Sequence, residues 1–160
     1  MEITIRFSEE KDFERLIELD HRVWDAATTP ADIVWSSIDE FRERNPEGSQ
    51  IVAIVNGDVA GYLGYHAPTP LKTNQHVMEI DIAVDKMYQG MGIGKKLLDK
   101  AIELGKERGN TKLSLRVLST NKGALVFYKK CGFIEQGRLI KEFYIDGNYV
   151  DDVLMYRLIE

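Results

Sequence analysis

Polar and apolar positions alternate from Glu2 to Phe7, with Ile3, Ile5 and Phe7 opposite Glu2, Thr4 and Arg6. A period of two predicts a half-buried strand. From Ser8 the period becomes helical. Ser8 is the expected cap, Glu9 and Glu10 fall in the first turn, where the helix dipole favours acids, and Phe13, Leu16, Ile17, Val23 and Trp24 form the buried stripe. Asp20 lies on that stripe, where pairing with a neighbour is a simpler account than ligand contact. A second helix is expected from the cap Thr29, with Pro30 at its first position and Asp32 three residues after the cap, to about Arg44. Ile33, Val34, Ile38 and Phe41 would form its apolar face, and Asn45-Pro46-Glu47-Gly48 would stop it. Core packing is the default reading of Trp24 and Trp35, and a place beside a ligand is the alternative.

Residues 50–55 and 59–66 flank Asn56-Gly57-Asp58, a hairpin signal because Asn-Gly tolerates the positive φ of a tight turn. Apolar residues on both faces mark these as interior strands. After a loop with Pro68 and Pro70, either a substrate-side loop or a plain connection, comes the strand 76–85. Strict alternation puts Ile80, Ile82 and Val84 on one face, and Glu79, Asp81 and Ala83 on the other. Two carboxylates on a covered face are costly unless paired or placed in a polar site. A cross-strand salt bridge to a residue such as Arg116 is the structural alternative to a catalytic role.

The next stretch, Gln89-Gly90-Met91-Gly92-Ile93-Gly94, leads into a helix expected over 92–108, with Ile93, Leu97, Leu98, Ala101 and Ile102 as its apolar stripe. Strand, glycine turn and helix in that order form an anion cradle: glycines bring N–H groups together, and the helix adds its unpaired N–H groups and positive dipole end. The spacing is G-x-G-x-G, which fits neither the dinucleotide fingerprint G-x-G-x-x-G nor the P-loop. Leu113, Leu115 and Val117 alternate in a further strand. Ser119 or Thr120 is the expected cap of a short helix from about Asn121, carrying Ala124, Phe127, Tyr128 and Cys131 and closed by Gly132. A final hairpin turns at Asp146-Gly147-Asn148, so the order of elements is β-α-α-β-β-β-α-β-α-β-β.

Composition narrows this picture. The 160 residues suit one domain, expected to span 1–160, and 44% hydrophobic with 29% charged residues is ordinary for a soluble globular chain. The net charge of −5 argues against general nucleic-acid binding. Lys95, Lys96, Lys100, Lys122, Lys129 and Lys130 nevertheless gather near the glycine stretch and in the segment after it. No apolar run approaches bilayer length, no leader pattern opens the chain, and the single cysteine permits no internal disulfide, so a cytoplasmic protein without membrane contact is expected. His21, His66 and His76 lack ligand spacing, and no metal is implied. His66 and His76 flank the proline loop and remain minor candidates for acceptor contacts.

Gln89, Gly92 and Gly94 resemble the acetyl-CoA pyrophosphate loop, Gln/Arg-x-x-Gly-x-Gly/Ala, of the GNAT family of N-acyltransferases. Asn121-x-x-Ala124-x-x-Phe127-Tyr128-x-x-x-Gly132-Phe133 is similar to the same family's downstream motif, and the likeness spans nearly the whole chain. It implies an α/β (α+β) fold of the GNAT type: a central mixed, mostly antiparallel sheet of about seven strands flanked by about four helices. It also implies an acetyl-CoA-dependent N-acetyltransferase acting on a primary amine, of a small molecule or of a peptide or protein, by direct attack in a ternary complex. Ile82 and Val84, with Ala83 between them, would present backbone groups to the pantetheine arm. Gln89, Gly90, Met91, Gly92, Ile93, Gly94 and Lys95 would hold the pyrophosphate, and Asn121 would hydrogen-bond the pantetheine. Tyr128 would be the general acid, since a phenol with its usual pKa of ~10 can protonate a departing thiolate. A carboxylate must take the proton of an ammonium acceptor. Glu79 by way of water is the preferred base and Asp81 the preferred binder of the cation, with the reverse left open. An N–H near Val84 would stabilise the oxyanion. Members of the family are often dimers, so a homodimer is a possible assembly. The alternative function is a CoA-binding sensor or interaction module without chemistry. Cys131 as a covalent nucleophile is disfavoured, because a helix C-terminus raises a thiol's pKa.

Overall fold

The computed structural model describes residues 2–160. Its elements follow the expected order: β1 (Ile3–Phe7), α1 (Phe13–Val23), α2 (Ile38–Arg44), β2 (Gln50–Val55), β3 (Asp58–His66), β4 (Val77–Val84), α3 (Ile93–Glu107), β5 (Lys112–Leu118), α4 (Lys122–Lys130), β6 (Ile134–Ile145) and β7 (Asn148–Leu158). The seven-stranded sheet runs β1-β2-β3-β4-β5-β7-β6. β4 pairs with β5 in parallel, whereas the β1–β2, β2–β3, β5–β7 and β6–β7 pairs are antiparallel. The chain divides into two compact units, one of residues 1–23, 33–66 and 80–104, the other of 24–32, 67–79 and 105–160.

In the first unit, β2 and β3 are buried almost throughout, as expected of interior strands. Their turn holds Asn56 at φ 50° and Gly57 at φ 83°, the left-handed pair that Asn-Gly favours. Phe13, Leu16 and Leu19 of α1, Phe41 of α2, and Ile93, Leu97, Leu98 and Ala101 of α3 are almost wholly inaccessible. Burying a Leu or Phe side chain contributes about 1.5–3 kcal/mol, so these helix stripes anchor the unit.

Both early helix starts differ from expectation. Ser8 does not cap α1: it is buried, its N–H donates to Gln50 O at 2.8 Å, and its Oγ accepts from Gln50 N–H at 3.3 Å. Glu9 begins a short 3-10 turn over Glu10–Asp12 that runs into α1, and its N–H donates to Asp12 Oδ2. The second helix starts at Ile38, well after Thr29. Ser37 Oγ accepts from Glu40 N–H at 3.1 Å, and the Glu40 carboxylate takes the Ser36 N–H. That reciprocal capping, with Trp35 N–H held by His21 Nε2 at 3.0 Å, outweighs the helix signal at Pro30. Val34, expected on a buried face, is 70% exposed.

The second unit is built on the antiparallel β5–β7–β6 ribbon. The last hairpin turns as expected, with Asp146 at φ 48° and Gly147 at φ 82°. β6 is mostly exposed, and a bulge between Leu139 and Phe143 puts Lys141 at φ 52°.

Candidate acyl-transfer site

The expected site residues divide between the units: Asp81 and 82–95 lie in the first, and Glu79, Asn121 and Tyr128 in the second. In the first unit, β4 runs through Asp81, Ile82, Ala83 and Val84, a 3-10 turn covers Lys86–Tyr88, and the glycine loop enters α3 at Ile93. Gly90 (φ 82°) and Gly92 (φ 77°) take the left-handed conformation, which a side chain would disfavour. Gly94 lies inside α3, so two glycines rather than three make the turn. The first intrahelical bond is Lys96 N–H to Gly92 O at 3.1 Å. The N–H groups of Ile93, Gly94 and Lys95 therefore precede the ladder and are available to a ligand. A diphosphate fits donors of this kind at the positive end of a 15-residue helix. The Lys95 ammonium is exposed and paired with Asp99 at 3.0 Å.

Exposure along β4 is uneven. Ile80 and Ala83 are buried at 3% and 1% exposure, whereas Asp81, Ile82 and Val84 are half-buried. Burial does not track the alternation: Ala83 is buried although period two groups it with Glu79 and Asp81, and Ile82 and Val84 stay half-buried. β3 packs closely against this end of the strand. A Cβ on Gly61 would stand 2.7 Å from the Ala83 carbonyl oxygen, and one on Gly64 would stand 2.6 Å from Asp81 Oδ1. Two glycines thus let β3 approach the end of β4 and leave room for the Asp81 carboxylate.

In the second unit, Glu79 is half-buried on the opening part of β4, at the register position of Ser114 on β5. The parallel pairing extends only from Val77–Lys112 to Glu79–Ser114. Arg116, the proposed salt-bridge partner of the β4 acids, instead holds buried Asp152 through Nε at 2.6 Å and Nη2 at 2.5 Å. Asn121, rather than Ser119 or Thr120, caps α4: its Oδ1 accepts from Ala124 N–H at 3.3 Å. Thr120 Oγ1 donates to Ala27 O, and Ser119 Oγ accepts from Asp151 N–H. The Asn121 oxygen is therefore occupied by the cap, and its amide NH2 is the group left to meet a ligand. Tyr128 is 6% exposed, with ring edges of Phe127 and Phe133 at 5.2 and 5.4 Å between centroids. Cys131 closes α4, its carbonyl accepting from Arg157 Nη1 at 2.7 Å.

Asp20 takes the structural role. Its buried carboxylate accepts from Tyr62 Oη at 2.6 Å and Trp35 Nε1 at 2.8 Å. No group of three or more His, Cys, Asp or Glu side chains among the described residues could hold a metal, and no helix of theirs is long and apolar enough to cross a membrane. A depression of about 480 Å³ lined by Arg6, Lys11, Asp12, Arg15 and Asp58 contains none of the expected site residues.

One charged group beside the loop escaped sequence reasoning. Arg15 of α1 donates to Asp58 and Asp85, and Tyr88 Oη donates to Asp58. Burial raises the carboxyl pKa of Asp58, but the Arg15 guanidinium and the Tyr88 hydroxyl outweigh it and hold Asp58 below the usual carboxylate range. Burial likewise acts upward on Asp85, overcome by Arg15, the Met87 N–H and Arg22. The bond to Asp58, with some burial, pushes the Tyr88 hydroxyl upward. The partners are separated by 43, 70 and 30 residues, so no local pattern announces them.

A model of the Acetyltransferase (GNAT) family matches residues 9–133. The chain is 36% identical over 81 residues to spermidine N(1)-acetyltransferase of Vibrio cholerae, a stretch covering 50% of this chain and 47% of that protein. It is 29% identical to the L-amino acid N-acetyltransferase AaaT of Escherichia coli over 98% of both chains. Among solved structures, smu.2055 from Streptococcus mutans matches with a TM-score of 0.91 at 30% identity, over 98% of this chain and 99% of that one.

Proposed function

The chain belongs to the Acetyltransferase (GNAT) family, and on that premise we propose that it moves the acetyl group of acetyl-CoA to a cationic primary amine by direct attack. The single observation that carries this reading is the loop: left-handed Gly90 and Gly92 open onto α3, whose first N–H groups precede the helical ladder. Acetyl-CoA supplies the activated acetyl thioester. Gln89 to Lys95 bind its diphosphate, and the Asn121 amide NH2 together with the backbone of Ile82 to Val84 orients the pantetheine arm.

Tyr128 supports the role of general acid by being aromatic-packed and largely shielded from water, which fixes its hydroxyl for donation to a departing thiolate. Glu79 takes the acceptor's proton by way of water, and Asp81 attracts the ammonium form of the acceptor. The half-burial of both acids suits groups that meet a polar substrate without being fully desolvated. Spermidine and amino acids, the substrates in the names of two relatives, both offer cationic amines, which fits acidic groups at this position. A lone cysteine agrees with a reducing compartment, the basis for placing the enzyme in the cytoplasm.

The test is thiol release from acetyl-CoA across a panel of polyamines, amino acids and peptide N-termini. Turnover with a cationic amine is expected, and Tyr128→Phe should lower kcat by about 10²-fold or more while leaving CoA affinity within about twofold. Undiminished kcat in that variant removes Tyr128 from the acid role. CoA binding without turnover across the panel would sink the enzymatic reading.

A further inference from the structure

The loop that holds the diphosphate is reached through a 3-10 turn of three residues, Lys86–Tyr88, with only two backbone bonds of its own: Tyr88 N–H to Asp85 O at 2.9 Å and Gln89 N–H to Lys86 O at 3.4 Å. Turns of this type have poor hydrogen-bond geometry and little stability in isolation. Both ends of this one are tied down by side chains from elsewhere. At the start, Asp85 is 2% exposed and accepts Arg15 Nη2 at 2.8 Å, Arg22 Nη1 at 3.1 Å and the Met87 N–H at 3.1 Å. At the end, Tyr88 Oη donates to Asp58 Oδ2 at 2.9 Å, and Asp58 in turn accepts Arg15 Nε at 2.9 Å. One guanidinium therefore bridges the two anchors, and the residue after the second anchor is Gln89, where the loop begins.

We propose that Arg15, Asp58 and Tyr88 are positioning residues for acetyl-CoA: they preset the Lys86–Tyr88 turn, and through it the orientation of the N–H groups from Gln89 onward, before the diphosphate arrives. The inference rests on the reading of Gln89 to Lys95 as the diphosphate cradle. Its physical content is preorganisation. A loop fixed in advance does not lose conformational freedom on binding, so donor affinity depends on groups that never touch the donor. Tyr88 is the informative member. Its hydroxyl ties the end of the turn to Asp58, and it can be deleted without altering the ring.

The experiment measures CoA dissociation constants by calorimetry for Tyr88→Phe, Asp58→Asn, the double variant and Gly92→Ala, well below each melting temperature, with thermal melting of all four. Tyr88→Phe and Asp58→Asn should each weaken CoA about three- to tenfold, and the double variant should weaken it by less than the product of the two, because both substitutions act on the same tie. With acetyl-CoA and an amine accepted by the wild type, KM for acetyl-CoA should rise while kcat and KM for the amine stay within about twofold. A purely structural clamp predicts lowered melting temperatures with unchanged CoA affinity, and that result overturns the proposal. If Gly92→Ala weakens CoA and Tyr88→Phe does not, positioning fails while the cradle stands. If Gly92→Ala leaves CoA affinity unchanged, the cradle reading fails and the inference with it.

Discussion

β3 and the loop before α3 both depend on pairs of glycines, for opposite physical reasons. At Gly61 and Gly64 the backbone is ordinary but space is missing, since an added Cβ would meet the Ala83 carbonyl at 2.7 Å or the Asp81 carboxylate at 2.6 Å. At Gly90 and Gly92 nothing lies within 4 Å, and the constraint is the positive φ. The first pair permits a close approach that shapes the acid-bearing end of β4. The second permits a turn that aims amides outward. Under the proposed function, a glycine in a strand and a glycine in a loop therefore bear on different steps, substrate placement and donor binding.

Substitutions separate the two. Gly61→Ala should have the largest effect on stability, about 1–3 kcal/mol in urea denaturation, because the opposing atom is backbone and must move with its strand. A loss below about 0.5 kcal/mol would show that β3 and β4 adjust freely there. Gly92→Ala should cost about 1–2 kcal/mol through its φ alone, with its main effect on donor affinity. Gly64→Ala should be milder in stability, under about 1 kcal/mol, since the obstructing atom belongs to a side chain that can rotate away. Its signature is kinetic: KM for the amine should rise with KM for acetyl-CoA unchanged, and the reverse pattern would remove Asp81 from acceptor binding.

The smallest expected effect concerns pH. Asp58 and Asp85 are held below the ordinary aspartate value near 3.8, burial acting upward on each and the guanidinium partners prevailing. For a lowered carboxyl, stability is fully present above the unfolded-state pKa and is lost as pH falls through the folded-state value. Stability should therefore decline below about pH 4, and Asp85→Asn should flatten that decline in acid denaturation curves. An unchanged acid limb would mean that other carboxylates govern it.

Much of the fold was legible because periodicity and turn chemistry are local. The seven strands and four helices occur in the order that alternation and helical spacing predict, and both hairpins turn at the Asn-Gly and Asp-Gly steps. The errors arose where local signals competed. Thr29-Pro30 carries a sound helix signal, yet Ser37 with Glu40 caps better and Trp35 is held by α1. Ser8 is a plausible cap in isolation, but the sheet claims it through Gln50.

The amino-acid sequence by itself determined the glycine loop, the downstream Asn121 and Tyr128, and the acids of β4, because each depends on residue type at short spacing. Tertiary structure decided what those residues can do. The close approach at Ala83 comes from Gly61 on β3, and the room beside Asp81 from Gly64. The ties that brace Asp85 and Tyr88 come from Arg15 and Asp58, distant in the chain. Contacts between residues tens of positions apart depend on where folding brings the backbone, and a one-dimensional pattern carries no record of that distance.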